Sequence, residues 1–379
     1  MTRDIGWWWA IEPFGEALAW ALTRVADGET PSGPVAAGVV DDASAVRGLA
    51  ARARPAERGD PWSGPLTDPR LEHELAAALG GALLPGPLRE ELTATGAPRT
   101  DTVTIAVRGW PAALPWDCLA VDSAGTRLVE VARVLGGLPA TVHVGRARNP
   151  GSSGTAGPAV RIVDPGPSTS SDAGGRRRLL LYPNGRPTLW ESSLGDGEDI
   201  EPGVSGDGLT VREFGDLLSN GDPGRLLYFG HAVAGSPDAP AAAALVLADD
   251  AGEEHLFRAF DWLAAPERFP APPRVALIGC GSDDSEIAEQ SGLPIAAVNA
   301  GAELVTATRW VLPLDRGPDM RATTDLALAV DSAHGRADPV EGVRAWQLRR
   351  LNRWRAHGEL RDAPLVWGSL VTYLAPGRG

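Results

Sequence analysis

The chain contains no lysine: all 35 basic side chains are arginine, set against 49 Asp and Glu. Schiff-base chemistry and a P-loop lysine are therefore excluded. Cysteine is almost as scarce. Cys118 and Cys280 cannot build a disulfide framework, and two cysteines alone do not make a zinc site. So few thiols fit a reducing compartment. Positive charge is in deficit, and the net charge of −14 speaks against nucleic-acid partners, which call for a basic excess to neutralise phosphate. It also disfavours an anionic membrane surface. No apolar run approaches the roughly 18 residues of a membrane helix. The first residues, MTRDIGWWWAIEPFGEALAW, lack the basic start, apolar stretch and cleavage site of a signal peptide. A cytoplasmic protein is expected.

What is present is a chain of 379 residues, 43% of them hydrophobic, with 46 glycines and 33 prolines. That is ample for one large domain or two ordinary ones. Residues 1–95 read as a helical N-terminal extension. Glu16 to Val25 and Leu71 to Leu79 carry alanine, leucine and charge at helical spacing. Between them, Asp27 to Asp68 is rich in Pro, Gly, Asp and Arg and reads as loop. Trp7, Trp8 and Trp9 read as indoles covering an edge of the core, with a partner-docking surface as the sharper alternative.

Residues 96–379 alternate short apolar runs with helical stretches. Strands are expected at Thr102–Val107, Ala159–Val163, Arg178–Tyr182, Arg225–Phe229, Arg274–Ile278, Leu304–Thr308 and Leu365–Leu374. Ala244–Leu247 and Glu254–Phe257 flank an Asp-Asp-Ala-Gly turn, the pattern of a hairpin. Thr210 to Ser219 reads as a helix, with Thr210 and Glu213 spaced as a capping box. Val343 to Ala356 reads as an arginine-rich helix with Ala345, Leu348, Leu351 and Trp354 as its buried stripe and its arginines paired with the excess carboxylates. The alternation implies an α/β fold with a mostly parallel sheet.

Two strands share a grammar. Arg225–Phe229 is followed by Gly230 and His231, and Arg274–Ile278 by Gly279 and Cys280. In open parallel sheets, sites form beyond the carboxyl ends of the strands. Adjacent strands would bring a thiol and an imidazole to one rim, the pairing that generates a thiolate nucleophile. The backbone N–H groups of Cys280 and Ala232 are the natural donors for a developing oxyanion. Packing roles for the same two side chains are the plain alternative. Cys118 lies between apolar residues and reads as core. The other histidines are scattered and form no metal-ligand pattern.

The segments LLYFGHAVAG, ALVLAD, PPRVALIGCGSDDS and AAVNAGAELVTATRWVLPLD, taken in that order, resemble the CHAT domain family, caspase-like cysteine proteases related to separase, legumain and the caspases. Gly230 and His231 match the family's Gly-His element and Cys280 its nucleophile. Gly301, Val305, Trp310 and Asp315 match its closing stretch. Upstream LPWDCLAVDSAGTRLVE and downstream APLVWGSLVTYLAPG are similar to flanking motifs of the family, so the likeness spans about residues 100–379. Two positions depart from the pattern: Ala232 replaces a glycine, and Ile278-Gly279-Cys280-Gly281 replaces Ser-Ala-Cys-Glu.

The resemblance implies a caspase-like fold and a peptidase with His231 as general base and Cys280 as nucleophile. It needs no cofactor or metal. Asp283 and Asp284 are then candidates for a pocket taking a basic side chain, or else a solvated acidic loop. It further implies a regulated effector of a prokaryotic conflict or programmed-death system, acting on a protein substrate under a protein partner's control. An inactive relative serving as an interaction module is the alternative. The Gly/Ser/Pro stretch Asn149–Gly175 is a candidate for self-cleavage.

Overall fold

The computed structural model describes residues 5–26, 33–40, 42–53, 60–94, 102–139, 142, 157–166, 208–234, 242–279, 292–316 and 319–375. The chain divides into two compact units: residues 1–139, 285–289 and 343–379, and residues 140–284 and 290–342. The first opens with β1 (Ile5–Phe14), β2 (Ala17–Ala26), β3 (Ala36–Val40), α1 (Ala43–Ala53), α2 (Pro69–Leu83) and α3 (Gly86–Thr93). It continues through β4 (Thr102–Val107), α4 (Leu128–Val131) and β5 (Arg133–Gly136). The second holds β6 (Ala159–Val163), α5 (Val211–Ser219), β7 (Arg225–Phe229), β8 (Ala232–Val233), β9 (Ala244–Ala248), β10 (Glu254–Arg258) and α6 (Ala259–Ala264). It ends with β11 (Arg274–Ile278), α7 (Leu293–Asn299), β12 (Leu304–Thr308) and α8 (Ala322–His334). Helix α9 (Pro339–His357) then leads to α10 (Pro364–Trp367) and β13 (Leu370–Leu374), which belong to the first unit.

The expected helical extension is corrected over Ile5–Phe14 and Ala17–Ala26, which are strands, and the stretch expected to be loop holds a strand at Ala36–Val40 and a helix at Ala43–Ala53. Glu16–Val25, expected to be helical, lies almost wholly in β2. Gly15, at φ 59°, opens a two-residue turn that folds β2 back on β1 with Phe14 opposite Ala17. Burial then follows a period of two: Trp7, Trp9 and Ile11 on β1 are buried, as are Leu18 and Leu22 on β2. Cross-strand pairing decides the conformation, and alanine and leucine at helical spacing do not. β1 also pairs in parallel with β4, Trp7 opposite Val103, so these strands build the sheet of the first unit, in the order β3-β2-β1-β4-β5-β13. Two of the three tryptophans are core, Trp7 and Trp9, with Trp8 half-buried on the other face: Trp9 is fully buried and meets Trp116 edge to face at 5.2 Å between ring centres.

The helix expected at Leu71–Leu79 is α2, started by Asp68, whose carboxylate accepts the N–H groups of Arg70 and Leu71 at 2.9 Å each. α2 carries Glu72 inward, where Arg127 grips it through Nε at 3.1 Å and Nη2 at 3.0 Å to each carboxylate oxygen. Arg127 Nη1 donates onward to the Gly125 carbonyl at 2.6 Å. Cys118 is buried, as expected, and so is Asp117, which accepts from Gln347 of α9.

Of the stripe expected on α9, Leu351 and Trp354 are buried, whereas Ala345 and Leu348 are half-buried. Val343, Trp346, Gln347 and Arg350 complete the inner face. The arginines of α9 are largely satisfied by acceptors. Arg350 reaches Asp362 at 2.8 Å, Arg355 both oxygens of Glu130 at 2.7 Å, and Arg344 the carbonyls of Val129 and Glu130 at 2.8 Å. The long strand expected over Leu365–Leu374 begins only at Leu370. Pro364 at the first helical position turns residues 364–367 into α10 first.

In the second unit the sheet runs β12-β11-β7-β6, every described pair parallel. Burial on both faces explains the unbroken apolar runs of β7 and β11. The expected capping box is present at the start of α5: Thr210 Oγ1 accepts from Glu213 N at 3.3 Å, and Glu213 accepts from Thr210 N at 2.9 Å. The Thr210 N–H, and then the Thr210 hydroxyl at 2.8 Å, both donated to the carboxylate, hold the Glu213 carboxyl below its ordinary pKa. The hairpin is present as β9–β10. Phe214 of α5, Phe257 of β10, Trp262 of α6 and Phe269 form an aromatic cluster with ring centres 4.8 to 6.2 Å apart. It fixes the hairpin against the helices. The strand expected at Arg178–Tyr182 and most of Asn149–Gly175 lie outside the described residues. No described helix is long and apolar enough to cross a membrane.

His334 ends α8 fully buried, with Nε2 2.9 Å from Thr306 Oγ1 and Nδ1 without a hydrogen-bond partner. Burial first, and the charges of Arg274 and Arg225 second, depress its pKa to about 3. The unfolded imidazole takes its proton near pH 6.5 and the folded one only near 3, so stability falls as pH drops through that window. His334 is therefore expected to give neutral-imidazole NMR signals throughout pH 5–8, and a titration midpoint near 6.5 would contradict the burial. A second expectation concerns the Glu72–Arg127 pair. Glu72→Ala should lower the unfolding free energy by about 3–5 kcal/mol, because it strands a buried guanidinium. Urea denaturation measures it, and a loss under about 1 kcal/mol would mean that water reaches the pair.

Candidate active site

β7 and β11 run parallel with Phe229 opposite Ile278, and Gly230 N donates to Ile278 O at 3.1 Å. The two glycines therefore meet at the carboxyl ends of neighbouring strands. A Cβ on Gly279 would lie 2.7 Å from Gly230 O, and one on Gly230 would lie 2.7 Å from both Cζ and Oη of Tyr228 and 2.9 Å from Cδ of Pro165. A side chain at Gly279 would push against the end of β7, and one at Gly230 would displace the Tyr228 ring and Pro165.

His231 follows Gly230 and is half-buried. Its backbone is clamped from beneath: its carbonyl accepts the Tyr228 hydroxyl at 2.7 Å and the Val246 N–H at 3.0 Å. Tyr228 is fully buried, and its oxygen in turn receives the Val246 N–H at 3.1 Å. The hairpin that the aromatic cluster fixes thus holds the histidine segment.

Ala232 pairs with Leu245 across β8 and β9. Because Val246 donates to the carbonyl before Ala232, this is the non-hydrogen-bonded kind of antiparallel pair. Its N–H therefore points away from β9. Ala232 N lies 3.5 Å from the Cβ position of Gly279, so this nitrogen sits beside the end of β11.

Gly279 is held from the other side. Thr308, fully buried on β12, hydrogen-bonds the Gly279 carbonyl through its hydroxyl and accepts the Gly279 N–H at 3.4 Å. Asp164 follows β6 at the same end of the sheet, donating its N–H to Phe229 O at 2.7 Å. Its side chain is buried and its φ is 50°, a left-handed value uncommon outside glycine. Cys280, Asp283 and Asp284 lie outside the described residues.

Asp315 supports the fold. It accepts the N–H groups of Thr323 at 3.0 Å and Thr324 at 3.5 Å at the start of α8, and burial raises its pKa. Among the described residues no group of three or more His, Cys, Asp or Glu is placed to hold a metal ion. Tyr228, Asp164 and Thr308 were not legible as site residues. The first two sit in or after short apolar runs like any other, and a threonine in a buried strand carries no signal of what it will bond.

Comparison with known proteins bears on this geometry. A family model described as the CHAT domain matches residues 73–375. Two solved structures of the separase–securin complex of Saccharomyces cerevisiae, at 3.0 and 2.6 Å resolution, resemble the chain with 12% and 14% identity and TM-scores of 0.40 and 0.39. Each likeness covers 73% of this chain, which spans only 15% and 16% of the separase chains. No curated protein matches in sequence. The family match takes in β4, both Gly-ended strands, His231, Cys280 and β13, and by it the chain belongs to the CHAT domain family.

Proposed function

We propose that this chain is a cysteine peptidase of the caspase-like type, with His231 as general base and Cys280 as nucleophile. The register of β7 and β11 carries the reading. Gly230 and Gly279 meet at the strand ends, and each candidate is one peptide bond, about 3.8 Å between Cα atoms, beyond its glycine. A thiol and an imidazole so anchored suit one another as nucleophile and base.

In this mechanism the Cys280 proton passes to the His231 imidazole and the sulfur attacks the scissile carbonyl carbon. The oxyanion that forms is received by backbone N–H groups at Ala232 and Cys280. For Ala232 the support is that its N–H is turned from β9 and its nitrogen lies 3.5 Å from the Cβ position of Gly279. As the carbon–nitrogen bond breaks, imidazolium returns the proton to the departing amine, leaving a thioester. Water, deprotonated by His231, hydrolyses the thioester and restores the thiol. None of these steps calls for a metal or cofactor.

The acidic residues Asp283 and Asp284 follow the nucleophile closely and would favour a basic side chain on the substrate. We assign the chain to the cytoplasm, as a regulated effector of a prokaryotic defence or cell-death system acting on a protein under a partner's control. The non-catalytic reading is motivated by Ala232 and Gly281, which replace the family's glycine and glutamate.

Alkylation at pH 7 followed by mass spectrometry separates the two readings. One adduct is expected, on Cys280, with buried Cys118 unmodified. His231→Ala should slow it at least tenfold and Cys280→Ala abolish it. A wild-type Cys280 no more reactive than a free thiol in a peptide, with no cleavage of a peptide library, would leave the interaction module as the function. Tyr228→Phe should reduce cleavage several-fold and stability by about 1–2 kcal/mol, through the lost hydroxyl clamp. Full activity in that variant would separate the clamp from catalysis.

A further inference from the structure

The second unit carries a cavity of about 560 Å³ at the other end of its sheet, lined by Arg161, Arg225, Leu328, Asp331, Ser332 and Arg336. Arg225 and Arg274 begin β7 and β11 and pair in register, and Ala159 pairs with Arg225 from β6. Arg161, two residues beyond Ala159, therefore shares the face of Arg225. His231 lies six residues beyond Arg225, roughly 20 Å at strand rise. The cavity is thus no part of a substrate cleft at the carboxyl ends.

Its charge runs against that of the chain. Three guanidinium groups face one carboxylate. Asp331 accepts from Arg161 Nε at 2.8 Å, whereas its other oxygen stands 3.5 Å from Arg225 Nε, which is buried and makes no hydrogen bond. Arg336 is exposed. His334 adds no charge of either sign. The end of α8 would repel an anion by its carbonyls, but Arg274 donates to those of His334 and Arg336, the latter at 2.6 Å. Glu303 and Asp338 act on Arg274. Among the described residues the cavity thus holds two more positive charges than negative, in a chain whose net charge is −14. Guanidinium forks match the oxygens of phosphate, and the single apolar lining residue, Leu328, offers no wall for a ring.

We propose that this cavity is a binding site for a compact phosphate-bearing polyanion, held by Arg225 and Arg336 with Arg161 behind them, at a place suited to control of the unit and not to substrate. The proposal does not depend on the peptidase reading.

Isothermal titration calorimetry of the full chain with pyrophosphate and with tripolyphosphate in about 50 mM salt tests it. The expected result is saturable one-to-one binding, tighter for tripolyphosphate, weakened at least tenfold by Arg225→Gln and by Arg336→Gln, and unchanged by Arg349→Gln on the exposed face of α9. Arg336 is exposed, so its variant keeps the test valid if Arg225→Gln, which removes a neighbour of Asp331, fails to fold. Citrate should bind more weakly than tripolyphosphate, and equal affinity would overturn the phosphate assignment. Absence of saturable binding at millimolar anion, or an equal loss in Arg349→Gln, would overturn the site.

Discussion

The contact between Gly230 and Gly279 is the constraint on which the candidate site depends. Two parallel strands whose side chains are buried on both faces stand a fixed hydrogen-bonded distance apart. Where both chains leave the sheet, that distance persists only if Gly279 carries no side chain, while Gly230 must leave room for the Tyr228 ring and Pro165. A Cβ on Gly279 would lie 2.7 Å from the Gly230 carbonyl, so the first side chains past this point belong to the residues that follow. The glycine that ends β11 is therefore a packing requirement.

The histidine segment is secured by backbone contacts. The His231 carbonyl has two donors, Tyr228 Oη from beneath and Val246 N from the hairpin, and Thr308 grips Gly279 from β12. Backbone anchoring fixes where the imidazole starts. The anchors come from elements far apart in sequence, residues 228, 246 and 308, and the aromatic cluster around Phe214 holds the hairpin among them. Core packing and placement of the histidine segment are thus one structural problem, solved by one set of contacts.

Charge is distributed by a similar logic. An acidic chain whose cations are all arginine uses planar guanidinium forks to tie elements together: Arg127 to Glu72, Arg350 to Asp362, Arg355 to Glu130. Against that background of paired arginines, Arg225 differs, because its nearest carboxylate already bonds Arg161.

The sequence by itself determined the parallel strands β6, β7, β11 and β12, the capping box at Thr210 and the hairpin at 244–258. Each is written in local pattern: unbroken apolar runs, cap spacing, turn residues. It determined family membership too, through several weak motifs in a fixed order. Residues 5–26 show the limit of local pattern. Alanine and leucine there are consistent with a helix, and only pairing of β1 with both β2 and β4 makes them strands. The tertiary structure alone decided that Phe229 faces Ile278, that the Ala232 amide turns from β9, and that Tyr228 and Thr308 secure the rim. Those facts depend on register and on contacts across dozens of residues, and no local periodicity encodes either.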